Sequence, residues 1–128
     1  MADLQQFENQ EFLSLETFRK SGVGVKTPIW FAREGDNFYL WTFADSGKVK
    51  RIRNNAQVKI APCTRTGEIT GEWLEAQASI NASDASVQHV VSLLRGKLGF
   101  GFNIFKAIEG SIGALMGKHR VAITISFN

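Results

Sequence analysis

The sequence is poor in the residues that form cross-links, metal sites and nucleophilic catalysts. Its 128 residues include one cysteine, Cys63, so no internal disulfide can form and we expect a reducing, cytoplasmic setting. The two histidines, His89 and His119, form no spacing motif with cysteine, which argues against a metal site. Neither histidine has the neighbours that would predict a Ser-His-Asp or Cys-His catalytic group.

The chain also lacks internal repeats and low-complexity segments, and it has two prolines. Its first residues carry no charged-then-apolar signal, so we do not expect secretion. Hydrophobic residues make up 44% and charged residues 21%, a balance typical of a globular protein. We therefore predict one domain over residues 1–128, with a core of its own. A net charge of +3 does not by itself indicate nucleic-acid binding.

What the chain does have is a cluster of four cations in the segment Lys48–Arg53. The cluster follows a predicted strand end and turn, and it opens a predicted helix. A helix N-terminus offers unpaired N–H groups and a positive dipole end, which favour anions. Two hydroxyls and three cations would then form a phosphate cradle: Thr42, Ser46, Lys48, Lys50 and Arg51. The alternative is a solvated basic helix face.

Alternating hydrophobic residues and turn residues predict six strands, at 12–18, 23–32, 38–42, 57–63, 73–81 and 119–127. A short polar helix is expected within residues 1–10, and further helices at 47–54 and from about 83 to 94. Pro28 within the second strand indicates an edge or a locally unpaired backbone. Val49, Ile52 and Ala56 give the basic helix a narrow apolar face. Sequential hairpins favour a mainly β fold in which an antiparallel sheet closes into a small barrel.

The glycine-bearing apolar segment 98–117 allows three interpretations. A helical stripe is formed by Phe105, Ile108, Ile112, Leu115 and Met116. Lys106 and Glu109 interrupt it, and the uninterrupted apolar run is too short to span a membrane. We favour packing at a subunit interface over packing in the core, and both over contact with a membrane.

Three segments of the chain are similar to a known family: Thr27–Phe31, Leu40–Asn55 and Val58–Cys63. They resemble the pyridoxamine 5′-phosphate oxidase-like split β-barrel superfamily, and more closely its small deazaflavin (F420)-dependent oxidoreductases. The resemblance covers most of residues 12–80 and the final strand. It implies a six-stranded antiparallel split β-barrel with short flanking helices. It also implies a homodimer with flavin-type cofactors at the subunit interface.

The resemblance further implies a set of cofactor-binding residues. The backbone beside the tricyclic ring would come from Thr27, Pro28, Ile29 and Trp30. The phosphate-binding positions would be Thr42, Ser46 and Lys48, followed by the basic continuation Lys50 and Arg51. The next strand would bring three residues near the cofactor: Ala61, Pro62 and Cys63.

The function implied is an oxidoreductase that binds FMN or F420 and transfers hydride to a small quinone-like or enone-like acceptor. Such a cofactor carries the hydride chemistry itself, which explains why no acid–base motif is found and leaves the catalytic residues unidentified. Cys63 is expected to be a buried apolar residue, and Trp30 and Trp41 to be core or ring-wall residues. The chain ends at Asn128 without the substrate-phosphate residues of the vitamin B6 oxidase, which argues against pyridoxamine phosphate oxidation.

Two other functions are left open by the sequence. One is a non-catalytic module that binds flavin, deazaflavin or haem, because no catalytic side chain is evident. The other is nucleic-acid binding by the same four cations together with Trp41 and Phe43. That interpretation is weaker, because the sequence shows one basic cluster and no ribonucleoprotein-type aromatic motif.

Overall fold

The computed structural model describes residues 4–99 and 119–127, and within them six antiparallel strands close into a barrel. A 3-10 helix at Leu4–Phe7 precedes strands β1 (Phe12–Phe18), β2 (Gly24–Glu34) and β3 (Asn37–Phe43). Helix α1 (Gly47–Asn54) leads to β4 (Gln57–Cys63) and β5 (Leu74–Asn81), and helix α2 (Asp84–Leu98) precedes β6 (Arg120–Ser126). The order around the barrel is β1-β2-β3-β6-β5-β4. The predicted barrel of six antiparallel strands is confirmed.

Most predicted boundaries agree with the structure, and the exceptions have local causes. Gly22 closes the β1–β2 turn with a φ of 92°, and its N–H donates to the carbonyl of Arg19 at 2.8 Å. Helix α2 continues to Leu98, beyond the predicted end near residue 94, and stops at Gly99, whose φ is 67°. Ala56 lies beyond the end of α1 and is exposed, so the predicted apolar face of that helix is reduced to Val49 and Ile52.

The barrel interior is filled by alternate strand residues and by three phenylalanines. The rings of Phe31 and Phe38 are stacked with centroids 5.5 Å apart, and Phe7 packs edge-on against Phe38 at 4.8 Å. The N-terminal helix is therefore fixed to the barrel by Phe7, which is 2% exposed. Burial of rings in these geometries adds pairwise attraction to the hydrophobic effect.

A second apolar cluster lies between helix α2 and the outer face of the barrel. Its buried members are Ala32, Trp41, Val90, Val91, Leu94 and Ala122. In β6, Val121, Ile123 and Ile125 belong to the barrel interior, whereas Ala122 is buried because it packs in the α2 cluster. The outward side of this strand is thus covered by a helix at that position.

Strand β2 changes its neighbours along its length, and this change positions the site. Residues 24–30 pair with β1 and have no β3 partner among the described residues, whereas Phe31–Glu34 pair with β3. On its other side β3 pairs with β6 from Phe38 to Phe43, so its second half, from Trp41, keeps β6 but has no β2 partner among the described residues. Pro28 lies in the part of β2 that lacks a β3 partner, which confirms the predicted locally unpaired backbone. We call the place where β2 and β3 separate the split.

The predictions for segment 98–117 fall outside the described residues, except at Leu98 and Gly99. The proposed stripe of Phe105, Ile108, Ile112, Leu115 and Met116 is therefore still a sequence-based prediction. Across residues 4–99 and 119–127, no helix is long and apolar enough to cross a membrane.

Candidate functional site

A cavity of about 500 Å³ lies at the split between β2 and β3. Three aromatic rings and three cations dominate its wall, which is formed by Phe12, Pro28, Ile29, Trp30, Trp41, Thr42, Lys48, Arg65, Leu94 and Arg120. The residues come from strands β1, β2, β3 and β6, from helices α1 and α2, and from the loop that follows β4. A cavity of this size and composition is typical of a small-molecule site.

Lys48 and Thr42 meet at the inner wall of the cavity. Helix α1 begins at Gly47, so Lys48 lies in its first turn, and the ammonium Nζ donates to the buried Thr42 Oγ1 at 3.2 Å. Burial lowers the pKa of Lys48, and the positive charges of Arg51 and Arg120 lower it further. An anion bound here would oppose all three effects, because it compensates lost hydration and reduces repulsion between the cations.

The other members of the predicted phosphate cradle have different surroundings. Ser46 caps α1, with its Oγ accepting from the N–H of Val49 at 3.4 Å, and it does not line the cavity. Arg51 donates from Nε to Thr17 Oγ1 at 2.6 Å and so joins α1 to β1. Lys50 is exposed, and neither it nor Arg51 lines the cavity. In this chain Lys48 and Thr42 form the part of the cradle that faces the cavity.

Strand β2 contributes three of its four predicted ring-contacting residues, Pro28, Ile29 and Trp30. Thr27 pairs with Leu15 of β1 and is not part of the cavity wall. Trp30 and Trp41 both line the cavity, as expected of ring-wall residues, and Trp41 also packs in the α2 cluster.

The three residues predicted from strand β4 are buried and lie away from the cavity wall. Ala61, Pro62 and Cys63 pair with β1, which separates β4 from β2 in the barrel. None of the three lines the cavity. Burial raises the pKa of the Cys63 thiol, which fits the expected buried apolar residue.

Sequence reasoning missed Arg120, which contributes a second cation beside Lys48. Arg120 opens β6 and lies opposite Phe43 on β3. Its guanidinium carbon is 3.7 Å from the centroid of the Trp41 ring and 3.8 Å from that of Phe43. Such stacking holds the guanidinium plane in place beside the cavity. The sequence held no local signal for this residue, because it is far from Lys48 along the chain.

Arg65 was also missed, and it lines the cavity on the β1 side. Its guanidinium carbon is 5.9 Å from the ring centroid of Phe12, which lies opposite Trp30 in the β1–β2 ladder. The loop that carries Arg65 is well fixed. Gly67 has a φ of 95° and donates its N–H to the carbonyl of Thr64 at 3.0 Å.

The same loop is also fastened to the N-terminal segment. The side-chain amide of Gln6 donates to the carbonyl of Glu72 at 3.0 Å and accepts from the N–H of Glu72 at 2.8 Å. The Gln6 amide thus bonds both backbone polar groups of Glu72, as a residue of a neighbouring antiparallel strand would. The exposed Arg65 is therefore presented from a loop that is anchored to the body of the protein.

The cavity offers binding chemistry and little acid–base chemistry. Its described wall contains no histidine, cysteine, aspartate or glutamate. His89 lies on the exposed part of α2, 3.1 Å from a carboxylate oxygen of Glu34, and His119 just precedes β6. No group of His, Cys, Asp and Glu suited to a metal ion occurs in the described ranges. Flat aromatic walls with cations on two sides suit a ligand that has a planar ring and anionic groups.

Comparison with known proteins gives matches to solved structures. No family model and no curated protein matches the chain. The heme storage protein HutZ from Vibrio cholerae is similar at 12% identity and a TM-score of 0.68, over 97% of this chain and 86% of that one. A protein of the pyridoxinephosphate oxidase family from Clostridium acetobutylicum, related to general stress protein 26, has 15% identity and a TM-score of 0.65, over 96% and 79%. An F420 reductase has 14% identity and a TM-score of 0.61, over 98% and 94%.

These structures confirm the resemblance drawn from the sequence at the level of fold. The chain has the split-barrel fold that pyridoxine phosphate oxidase-type proteins, an F420 reductase and a heme storage protein share. Because one fold supports several functions, the function must be argued from the residues of the cavity.

Proposed function

We propose that this chain binds a flavin-type cofactor, FMN or F420, in the cavity at the split and acts as an oxidoreductase. The observation that carries this proposal is the wall itself, in which Trp30 and Trp41 lie beside Lys48, Arg65 and Arg120. When bound, the cofactor supplies hydride transfer, with a small quinone-like or enone-like compound as acceptor. The chain's own residues bind the cofactor, orient it and exclude water.

The residues that face the cavity have distinct proposed roles. Lys48, Thr42 and Arg120 hold the phosphate, since a charged donor, a hydroxyl and a stacked guanidinium converge on one side. Pro28 to Trp30 run beside the ring, because this part of β2 has no β3 partner among the described residues. Ser46 and Arg51 act indirectly, by capping α1 and by joining it to β1. No direct cofactor contact is assigned to Thr27, Lys50, Ala61, Pro62 or Cys63, which do not line the cavity.

Arg65 favours F420 over FMN within this proposal. Lys48 and Arg120 lie on the β3–β6 side of the split, whereas Arg65 lies over Phe12 on the β1 side. FMN has one phosphate group, but F420 has further carboxylates in its tail. A ligand with two separated anionic parts would use both groups of cations.

The cofactor proposal is tested by titrating the purified protein with FMN and with F420, followed by fluorescence. Micromolar or tighter binding of one of them supports the proposal and identifies the cofactor. Failure of both to bind contradicts it. Turnover is then measured as oxidation of the reduced cofactor with a panel of quinones and enones.

A second candidate is a non-catalytic module that stores or carries a flavin or haem. The structural similarity to a heme storage protein favours this candidate. Against haem, the described cavity wall has no histidine, cysteine, methionine or tyrosine that could ligate iron. Tight flavin binding without acceptor-dependent turnover would support the module, and a Soret shift on titration with haemin would support haem as its ligand.

A further inference from the structure

A second cavity, of about 280 Å³, lies between the N-terminal segment, strand β2 and helix α2. It shares no lining residue with the cavity at the split. Phe7, Phe31 and Leu93 form apolar parts of its wall, and Lys97 of α2 supplies an amine. The proposed cofactor chemistry has no use for this space.

The amine of Lys97 is turned inward although the residue as a whole is exposed. Its Nζ donates to the carbonyl oxygen of Phe31 at 2.7 Å and lies 3.4 Å from the centroid of the Phe31 ring. Both partners are uncharged, and no described carboxylate forms an ion pair with this amine. Solvent and small reagents can therefore reach an amine whose hydration is partly replaced by one carbonyl and one ring face.

This environment makes an unusual fraction of the amine unprotonated. Desolvation lowers the pKa of Lys97 to about 8, against the opposing effect of the Glu11 carboxylate. Glu8 and Arg33 also line the cavity, and their charges act in opposite directions on the ammonium. At pH 7.5 roughly a quarter of such an amine is neutral, compared with about 0.1% for an ordinary lysine. The neutral amine is the nucleophilic form.

We propose that Lys97 is a covalent modification site, at which the side-chain amine accepts a small acyl group from an activated acyl donor, a thioester or an acyl phosphate. The amine nitrogen attacks the acyl carbonyl carbon and a C–N bond forms. The C–S or C–O bond breaks, the thiolate or phosphate leaves with the bonding electrons, and the proton of the amine passes to solvent. No oxidant or reductant is required.

The cavity suits the product as well as the reaction. An acetyl or propionyl group is much smaller than 280 Å³, and Phe7 and Leu93 offer apolar contacts to its methyl end. The new amide keeps one N–H, which can still donate to the Phe31 carbonyl. The modification removes a positive charge where Lys97 of α2 contacts Phe31 of β2. The same helix supplies Leu94 to the cavity at the split.

The experiment compares lysines within one folded protein. The full-length chain is incubated with acetyl phosphate and, separately, with acetyl-coenzyme A, and acetylation of each lysine is followed by peptide mass spectrometry. In at least one arm Lys97 should react about tenfold faster than the exposed Lys20 at pH 7.5, because its larger neutral fraction outweighs its lower basicity. The reactive arm identifies the donor class.

Two further measurements separate a reactive site from simple exposure. The rate at Lys97 should level off above pH 8, whereas the rate at Lys20 continues to rise. Glu11→Gln removes the carboxylate that favours the ammonium, so it should increase the rate at Lys97 near pH 7, with the fold checked by circular dichroism. A rate at Lys97 no higher than at Lys20 in both arms would overturn the proposal, as would a pH profile without the plateau.

Discussion

Lys48 is the residue on which the proposed cofactor site depends most. Replacing it with alanine should cost about 1.5–3 kcal/mol of cofactor affinity, the usual size of a lost charge-assisted hydrogen bond. The free energy of unfolding should change little, because the half-buried ammonium gains one hydroxyl contact in exchange for lost hydration. Fluorescence titration and chemical denaturation measure the two quantities. Lys20→Ala, in the β1–β2 turn, is the matched control, and equal losses at both positions would mean that general charge attracts the ligand.

The lowered pKa of Lys48 predicts how cofactor binding depends on pH. The protonated amine binds the anion, and burial together with Arg51 and Arg120 makes the free protein lose this proton at lower pH than an ordinary lysine. A bound anion raises the pKa again, so binding takes up a proton. Above pH 8, where the phosphate charge is constant, affinity should therefore fall as pH rises. The decline should be absent in Lys48→Arg, provided that this variant still binds; a flat profile for the unmodified protein would contradict the prediction.

Arg65 provides a residue-scale test of which cofactor is used. Arg65→Ala should weaken F420 binding by about 1–2 kcal/mol through loss of charge-assisted hydrogen bonds to the acidic tail. It should leave FMN binding nearly unchanged, because FMN lacks that tail. Arg53→Ala is the control, since Arg53 is exposed and does not line the cavity. Equal losses for both cofactors would place Arg65 at the phosphate or ring instead.

At the scale of elements, helix α1 fixes the cation that faces the cavity. Ser46→Ala removes the N-cap and should lower the free energy of unfolding by about 1 kcal/mol. It should also weaken cofactor binding, because Lys48 lies in the turn that the cap holds. Ser83→Ala is the matched control: it removes the cap of α2, whose Oγ accepts from the N–H of Ser86 at 3.2 Å, and should affect stability alone. Unchanged affinity in Ser46→Ala would show that α1 is fixed by other contacts, such as the one between Arg51 and Thr17.

The elements themselves were largely predictable, because their signals are local. Strands at 12–18 and 57–63 agree with the structure at both ends. The composition of the cavity was only partly predictable, since it depends on which strands become neighbours. Arg120 reaches the site because β6 pairs with β3, whereas Cys63 is kept from it because β1 lies between β4 and β2. Leu94 was placed on a helix, but its contact with the cavity depends on where that helix packs.

At the scale of the whole molecule, two features of the barrel converge at the split. Among the described residues, strand β2 pairs with β3 only from Phe31 onward and is separated from it before that residue. Helix α2 packs over β3 and β6 and closes the adjacent wall. The cavity is thus a consequence of the barrel's topology, and its charge is a consequence of a few side chains. Because the fold fixes the space and not the ligand, neighbours of this fold can include a heme storage protein and an F420 reductase.

The same geometry leads us to expect a homodimer. In the described part of the chain, residues 24–30 of β2 have a neighbour on one side, so backbone N–H and C=O groups face the split without a second strand. An exposed strand edge of this kind tends to be covered, and the two-fold dimer is the commonest assembly of soluble proteins. If a partner completes the cavity, cofactor affinity should fall when the protein is diluted below its dimer dissociation constant. Light scattering and fluorescence titration over the same concentration range measure both.

One substitution tests whether cofactor affinity depends on dimer formation. Ile112→Asp lies in segment 98–117, outside the described residues, and from the sequence it is predicted to place a charge on an apolar stripe. If that stripe is the subunit interface, the substitution should lower the dimer fraction and, with it, the cofactor affinity. Because the residues that line the described cavity are unchanged, such a loss of affinity would be attributed to the loss of the dimer. Lys48→Ala is the contrasting variant. It should lower the cofactor affinity while the dimer persists, because it removes a contact to the ligand and none at the predicted interface. A monomer that binds the cofactor as tightly as the unmodified protein would show that one barrel suffices.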